Sequence, residues 1–492
     1  MTNTNLGGVF TKDTDGNIGS GALVSTENVC GIIFDTNGFT TPLGSGDAAT
    51  VFANGNVVEV NSMKDVKAAG IDETIMGGLV YHHLNNFFTL AGNNQRLFVS
   101  FMDSSVDATF TAIEQMQLAA NGIIYQIGLW TTQPFAQQTV EYKEVANPTG
   151  NPASQHYYKR SGDNYVEASE TEVASNTTYY TASTAFGVID NGILTKLQNQ
   201  AEVLGGKIDV INYEGFSPVN ILLNAPVASV AEIDITKLPD LSTLDLPKVS
   251  VLLGQPSNDD VHSIQEKLGG YAVVGNIGAA LACLAVAPAE VSLGWVESFN
   301  LAKVMTNAEL GFGNLVRASQ ATDGVYKFTA AAAFTNIKTL GYTSRNNNLH
   351  RKGYIFLTDY AGIENGVFFS CDQTLSTGDY RTIGRGRVMH KSRRVVRLAL
   401  LPYVNSTWEL DASTGRLSAS DITMIQNLVI NALDVNMVEP GTSKPQISGR
   451  KCVIDGTQNI LANDELHIDY AMVPVGCTSA IYVTEGFTTS VK

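Results

Sequence analysis

Charge is scarce in this chain. Asp, Glu, Lys and Arg make up only 16% of its 492 residues, where about 25% is ordinary for a soluble protein. A chain that buries much of its surface in an assembly can carry fewer charges. Basic residues are the scarcer sign: 31 Lys and Arg stand against 47 Asp and Glu, a net charge of −16. That balance argues against nucleic acid as a partner, because phosphates select basic surfaces. Cysteine is sparse too. Cys30, Cys283, Cys371, Cys452 and Cys477 are odd in number, widely scattered and form no CxxC pair. This excludes a zinc knuckle and a disulfide framework. It leaves buried reduced thiols, which fit assembly in a cytoplasm. Long apolar runs are missing as well. The longest, Ile277–Ala289, falls short of a membrane span, and the first residues lack the basic region and apolar core of a secretory signal. No membrane insertion is expected.

The chain also lacks sites for chemistry. It has no G-x-S-x-G elbow and no HExxH pair. Gly205-Gly206-Lys207 has Ala201 where a phosphate loop needs glycine. Asp13-Thr14-Asp15-Gly16-Asn17 hints at a calcium loop, but Val24 stands where the closing Glu belongs. His82 and His83 are neighbours in an apolar helix and point about 100° apart, so they cannot share a metal. Gly275-Asn276-Ile277-Gly278 lacks the third glycine of a dinucleotide turn; its small residues suit close helix packing. The expectation is a protein that is not an enzyme, with no cofactor and no metal.

What is present is regular alternation. Strand-like runs at Val29–Phe34, Val57–Val60, Arg96–Phe101, Ile123–Trp130, Lys207–Asn212, Val249–Leu253 and Tyr271–Val274 interleave with helical spacing. The helices are read at 64–69 with Asn61-Ser62 as cap, and at 73–90, 109–120, 188–204 and 261–268, followed by an Ala-rich helix to Val286. Such alternation predicts an α/β (α+β) fold with a partly parallel sheet. Between 134 and 184 the pattern breaks. Tyr142, Tyr157, Tyr158, Tyr165, Tyr179 and Tyr180 punctuate a polar stretch with turns at Ser161-Gly162-Asp163 and Ser175-Asn176. It reads as a small β-rich surface insertion. Its tyrosines could stack on sugars, but tyrosine in a small β unit more often packs a thin core.

The most distinctive stretch is 353–411. An apolar strand (Gly353–Thr358) turns into a second short run (Val367–Ser370). After Asp372 and Ser376-Thr377-Gly378-Asp379 comes a helix over about 380–401, stopped by Pro402. That helix carries Arg381, Arg385, Arg387, Lys391, Arg393, Arg394 and Arg397 with no acidic residue among them. An amphipathic helix follows at 418–433, with Ile422, Ile425, Leu428, Val429 and Leu433 on one face. Strands follow at about 443–454 and 464–473, where Leu466, Ile468, Tyr470 and Met472 alternate with polar neighbours. The GY-I-F strand, the DY dipeptide, the R-x-R-x-x-x-K helix and the LLPY stop together resemble the C-terminal domain of contractile phage tail sheath proteins. The likeness points to the kind found in Bacteroidetes phages and related contractile injection systems.

The resemblance implies a multidomain, tail-sheath-like fold with mixed sheets flanked by helices and extended terminal arms. The corresponding division is an N-terminal arm (1–25), an α/β outer region (26–345) interrupted by the insertion (134–184), a C-terminal core (346–473) and a strand-donating arm (474–492). The implied function is a structural subunit that polymerises as stacked hexameric rings around an inner tube and contracts to drive the tube through a cell envelope. Its partners would be further copies of itself, the tube protein, and baseplate and tail terminator proteins. It would sit in a virion tail, or in a contractile particle assembled in the host bacterial cytoplasm. Two sets of site residues follow. Arg385, Arg387, Lys391, Arg393, Arg394 and Arg397 are candidates to face the tube, with Arg387, Lys391 and Arg394 sharing one helix face. Ser479, Ala480, Ile481, Tyr482, Val483 and Thr484 are candidates to add a strand to a neighbouring subunit. The competing reading is an adhesin-like binding protein that engages glycans through the tyrosine-rich insertion.

Overall fold

The structure, a computed structural model, describes residues 28–39, 56–145, 157–167, 178–206, 219–224, 238–253, 259–268, 274–304, 319–320, 326–327, 349–358, 360, 362–364, 366–438, 444–463, 465–478 and 481. Its elements, in chain order, begin with β1 (Cys30–Asp35), β2 (Val57–Val60), α1 (Met63–Ala68), α2 (Leu79–Ala91), β3 (Leu97–Met102), α3 (Ala112–Ala119) and β4 (Gln126–Trp130). The insertion follows as β5 (Ala136–Val145), β6 (Tyr157–Ser161), β7 (Asn164–Glu167) and β8 (Tyr179–Val188). Then come α4 (Ile193–Gly206), β9 (Asn220–Asn224), β10 (Val249–Leu253), α5 (Asp259–Lys267), α6 (Ile277–Val286), and the short antiparallel pair β11 (Ser319–Gln320) and β12 (Tyr326–Lys327). The remainder is β13 (Tyr354–Thr358), β14 (Phe368–Phe369), α7 (Ile383–Leu400), α8 (Ala419–Leu433), β15 (Ile447–Val453), α9 (Ile460–Asn463) and β16 (Asp469–Pro474).

Eight strands form one sheet in the order β14-β13-β10-β9-β4-β1-β3-β2. The run from β13 to β3 is parallel, and β14 and β2 close the two edges antiparallel. Every residue of β1, β3, β4, β9, β10 and β13 is buried. Strands covered on both faces need such continuous apolar runs, and this is why the sequence shows them without alternation. Helices α2 and α6 pack on one face. The contact is so close that a Cβ on Gly278 would stand 2.1 Å from the His83 carbonyl oxygen, so only glycine fits there. The insertion is a separate antiparallel sheet ordered β5-β8-β6-β7, with Gly162 at φ 63° in the turn between β6 and β7. Its tyrosines pack on each other: the rings of Tyr142 and Tyr165 stack at 3.9 Å, and Tyr158 and Tyr180 meet them edge-on.

Several expectations shift. The helix expected from residue 73 begins only at Leu79, because Met76, Gly77 and Gly78 pass through positive φ (46°, 65° and 95°). The helix expected from Val188 begins at Ile193, since Val188 still pairs with Ala136. β9 (Asn220–Asn224) is a strand where none is expected. The expected strand at 207–212 lies outside the described residues, as do residues 271–273 of the strand expected at Tyr271–Val274 and the turn at 175–176; Val274 is described and is not in a strand. The boundary expected between 345 and 346 does not separate two sheets. β13 lies beyond it and pairs in parallel with β10 through Val251–Tyr354, Leu252–Ile355 and Leu253–Phe356. The physical reason is that β10 would otherwise expose an unpaired apolar edge. The expected arm 1–25 lies outside the described residues.

Candidate assembly surfaces

The carboxyl ends of the parallel strands are where α/β enzymes usually place their ligands. Here the crevice between β1 and β4 is filled with satisfied side chains. Asp35, fully buried, accepts from the Asn37 and Ser104 amides at 3.0 Å each and from the Thr131 hydroxyl at 2.5 Å. His83 Nε2 and Trp130 Nε1 both donate to the Val274 carbonyl, at 3.0 and 3.1 Å. Burial pushes His82 down to about 4 and His83 down to about 3, so both rings are neutral at pH 7. No group of three or more His, Cys, Asp or Glu capable of holding a metal ion occurs among the described residues.

The basic helix α7 begins where Thr382 accepts from the Arg385 amide at 3.2 Å. Asp372 sits at the same end, accepting from the Gly384 amide at 3.2 Å and the Ser292 hydroxyl at 2.9 Å. A carboxylate at a helix start complements the dipole. Burial pushes the Asp372 carboxyl up, against those hydrogen bonds and the nearby Arg387.

The shared face of Arg387, Lys391 and Arg394 exists, but it points into the chain, correcting the expectation of an outward stripe. Arg387 is 4% exposed and Lys391 9%. Arg387 donates to the carbonyls of Leu284, Ala287 and Pro288 at 3.1, 2.8 and 3.4 Å, and to Asn28 Oδ1 at 3.3 Å. The Arg394 guanidinium lies 3.9 Å from the centre of the Tyr125 ring. Glu290 lies within electrostatic reach of Arg387 and Lys391; burial pushes its carboxyl up, and the hydrogen bond from Gln446 and those two cations oppose the shift. Through Arg387 this face fastens α7 to the carboxyl end of α6. Arg385, Arg393 and Arg397 remain half-exposed, and so does Arg394 apart from the guanidinium over Tyr125. The glycines Gly384 and Gly386 were the available signal, since small residues in a helix mark a face that something approaches closely.

β15 and β16 form a two-stranded antiparallel sheet of their own. Along 465–473 exposed and half-buried residues alternate strictly, with Leu466, Ile468, Tyr470 and Met472 turned inward as the sequence predicts. α8 supplies the underlying core through Ile425, Val429 and Leu433; its cap is Ser418, accepting from the Asp421 amide at 3.1 Å. Beyond β16 the chain borders a cleft of about 1730 Å³ between this unit and the sheet core, lined by Trp295, Lys444, Ile447, Val475, Cys477 and Ile481. Of the six strand candidates, Ile481 is described and is 81% exposed; Ser479, Ala480, Tyr482, Val483 and Thr484 lie outside the described residues.

No curated protein matches the chain. Residues 379–492 match the family described as DUF2586, C-terminal domain. Among solved structures the chain is similar to the helical sheath of the anti-feeding prophage in its contracted state, at 12% identity and a TM-score of 0.47, over 99% of this chain and 100% of that one. It is also similar to the sheath complex of an extracellular contractile injection system, PVC, in its contracted state, at 10% identity and a TM-score of 0.43, over 100% of this chain and 99% of that one.

Proposed function

We propose that this protein is a structural subunit of a contractile sheath, polymerising as stacked hexameric rings around an inner tube, and not an enzyme. The observation that carries the reading is the sheet β15–β16. It has only two strands, so among the described residues each strand keeps one edge unpaired, and it leads directly toward an exposed apolar residue, Ile481. An open edge accepts a strand from another chain through main-chain hydrogen bonds. The likeness of 353–411 to sheath proteins supplies the context. Contacts of this head-to-tail kind, repeated by a screw rotation, build an open helix. In this reading 474–492 is the donated arm, the half-exposed Arg385, Arg393 and Arg397 face the tube, and the particle also engages baseplate and terminator proteins. Electron microscopy of the purified protein tests it. The full chain should give rings or striated tubes, and a chain lacking 474–492 should remain a folded monomer. Tubes from the truncated chain would remove the arm from assembly; neither rings nor tubes from the full chain would overturn the sheath reading.

A further inference from the structure

At the amino ends of β4, β9 and β10 the sheet meets α7 through polar side chains. Gln126 opens β4 and pairs in register with Asn220, which opens β9. Ser250 lies on β10 beside Leu222, two residues along from Asn220. Registered neighbours in a parallel sheet point to one face. Here it is the face that carries α6, because a Cβ on Gly128, two residues beyond Gln126, would stand 2.8 Å from Leu281 and 2.9 Å from Ile277. α7 lies on the same floor: a Cβ on Gly386 would stand 3.1 Å from Asn220 Nδ2, and His390 follows one turn later.

These side chains are deeply buried, Gln126, Ser250 and His390 at 1% exposure and Asn220 at 2%. Among the described residues, none makes a hydrogen bond through either amide atom of Gln126, either amide atom of Asn220, Ser250 Oγ or His390 Nδ1. The protonation of His390 follows from its other nitrogen. Nε2 contacts the Lys248 ammonium, which can only donate, so Nε2 accepts and the neutral ring carries its proton on Nδ1. The set thus contains donors in Gln126 Nε2, Asn220 Nδ2 and His390 Nδ1, acceptors in Gln126 Oε1 and Asn220 Oδ1, and a hydroxyl able to do both. Bare polar groups at such depth are costly, and native interiors satisfy them. An anion would serve the donors and leave both amide oxygens bare. Water serves both kinds, and a polar chamber with several partners per molecule is where buried water is found.

We infer that Gln126, Asn220, Ser250 and His390 enclose a buried water site, and that α7 rests on the amino end of the sheet through a hydrated seam. Water can exchange partners without leaving a group bare, so α7 can adjust along this seam more easily than along a dry contact. Density for the unaltered protein, at a resolution that shows ordered water, should reveal peaks bridging the Gln126 and Asn220 amides to His390 Nδ1. Direct Gln126–Asn220 bonding with no peak beside His390 overturns the inference, and this measurement needs no variant. The double substitution Gln126→Met and Asn220→Leu removes four of the polar atoms with little change in side-chain volume. It should slow amide exchange across 383–400, because the seam is then dry. Unchanged or faster exchange there counts against the hydrated seam.

Discussion

Arg387 Nη2 donates to the Ala287 carbonyl at 2.8 Å and to the Leu284 carbonyl at 3.1 Å, so a side chain of α7 caps the carboxyl end of α6. The last carbonyls of a helix lack partners within it and carry the negative end of its dipole. A forked guanidinium satisfies several at once, which an ammonium cannot do. Arg387→Ala should therefore cost about 3 kcal/mol, and Arg387→Lys should recover only part of it. Thermal unfolding of the variants measures both. Equal stability of the Lys and Arg proteins would show that charge alone matters there.

The half-exposed cations should behave differently. Arg393→Glu with Arg397→Glu should leave Tm nearly unchanged, because exposed charge contacts contribute about 0–1 kcal/mol each. In the proposed sheath, sixfold repetition along a tube would multiply small contacts through avidity, so the same variant should shift particles from tube-filled to empty. Unchanged filling, counted by electron microscopy, removes these residues from the tube interface.

Gly278→Ala should be among the most damaging conservative changes. The new methyl would meet the His83 carbonyl 2.1 Å away, and backbone oxygen cannot rotate aside, so α2 and α6 must separate. A loss of about 2 kcal/mol or more is expected from overpacking, read as a lower Tm or insoluble protein.

Acid should destabilise the fold through its buried histidines. His82, His83 and His390 all have pKa values pushed below the ordinary 6.5, chiefly by burial. The unfolded chain therefore binds more protons than the folded one once pH drops below about 6.5. Their contribution to stability is complete above that value and is lost on the way down, to about 4 for His82 and about 3 for His83. Each contributes a slope of about 1.4 kcal/mol per pH unit in its window. Tm measured from pH 7 to 4 should fall, and His390→Leu should flatten the fall. An identical profile for that variant would show that His390 does not take part.

The insertion should be removable at a defined point. Gln138 and Phe186 stand opposite each other in the β5–β8 ladder, a separation that a two-residue Asn-Gly turn closes. Replacing 139–185 in this way retains Phe186, which packs on the main core. The shortened protein should fold, and in the proposed sheath it should polymerise; failure to assemble where the full chain does would make the insertion part of an interface.

Much of this architecture is readable in the residues. The apolar runs of β1, β3 and β10 announce buried parallel strands, and Ser62 announces the helix it caps. β9 was not readable, because Asn-Ile-Leu-Leu-Asn is five residues with polar ends, and its place is fixed by β4 and β10 on either side. The inward turn of Arg387 was hidden for another reason. A run of cations suggests solvent, and only the position of α6 reveals the carbonyls waiting for one of them.

The pairing of β13 with β10 has a consequence for the order of events during synthesis. The edge of β10 stays uncovered until Tyr354–Thr358 has been made, a hundred residues later in the chain. Until then the growing subunit carries an apolar edge open to other strands, the condition in which partly made proteins aggregate. β15 and β16 are synthesised later still. The sheet proposed to receive a partner's strand thus emerges only after the main sheet has been closed, and the linear order of the gene keeps the two kinds of strand pairing apart in time.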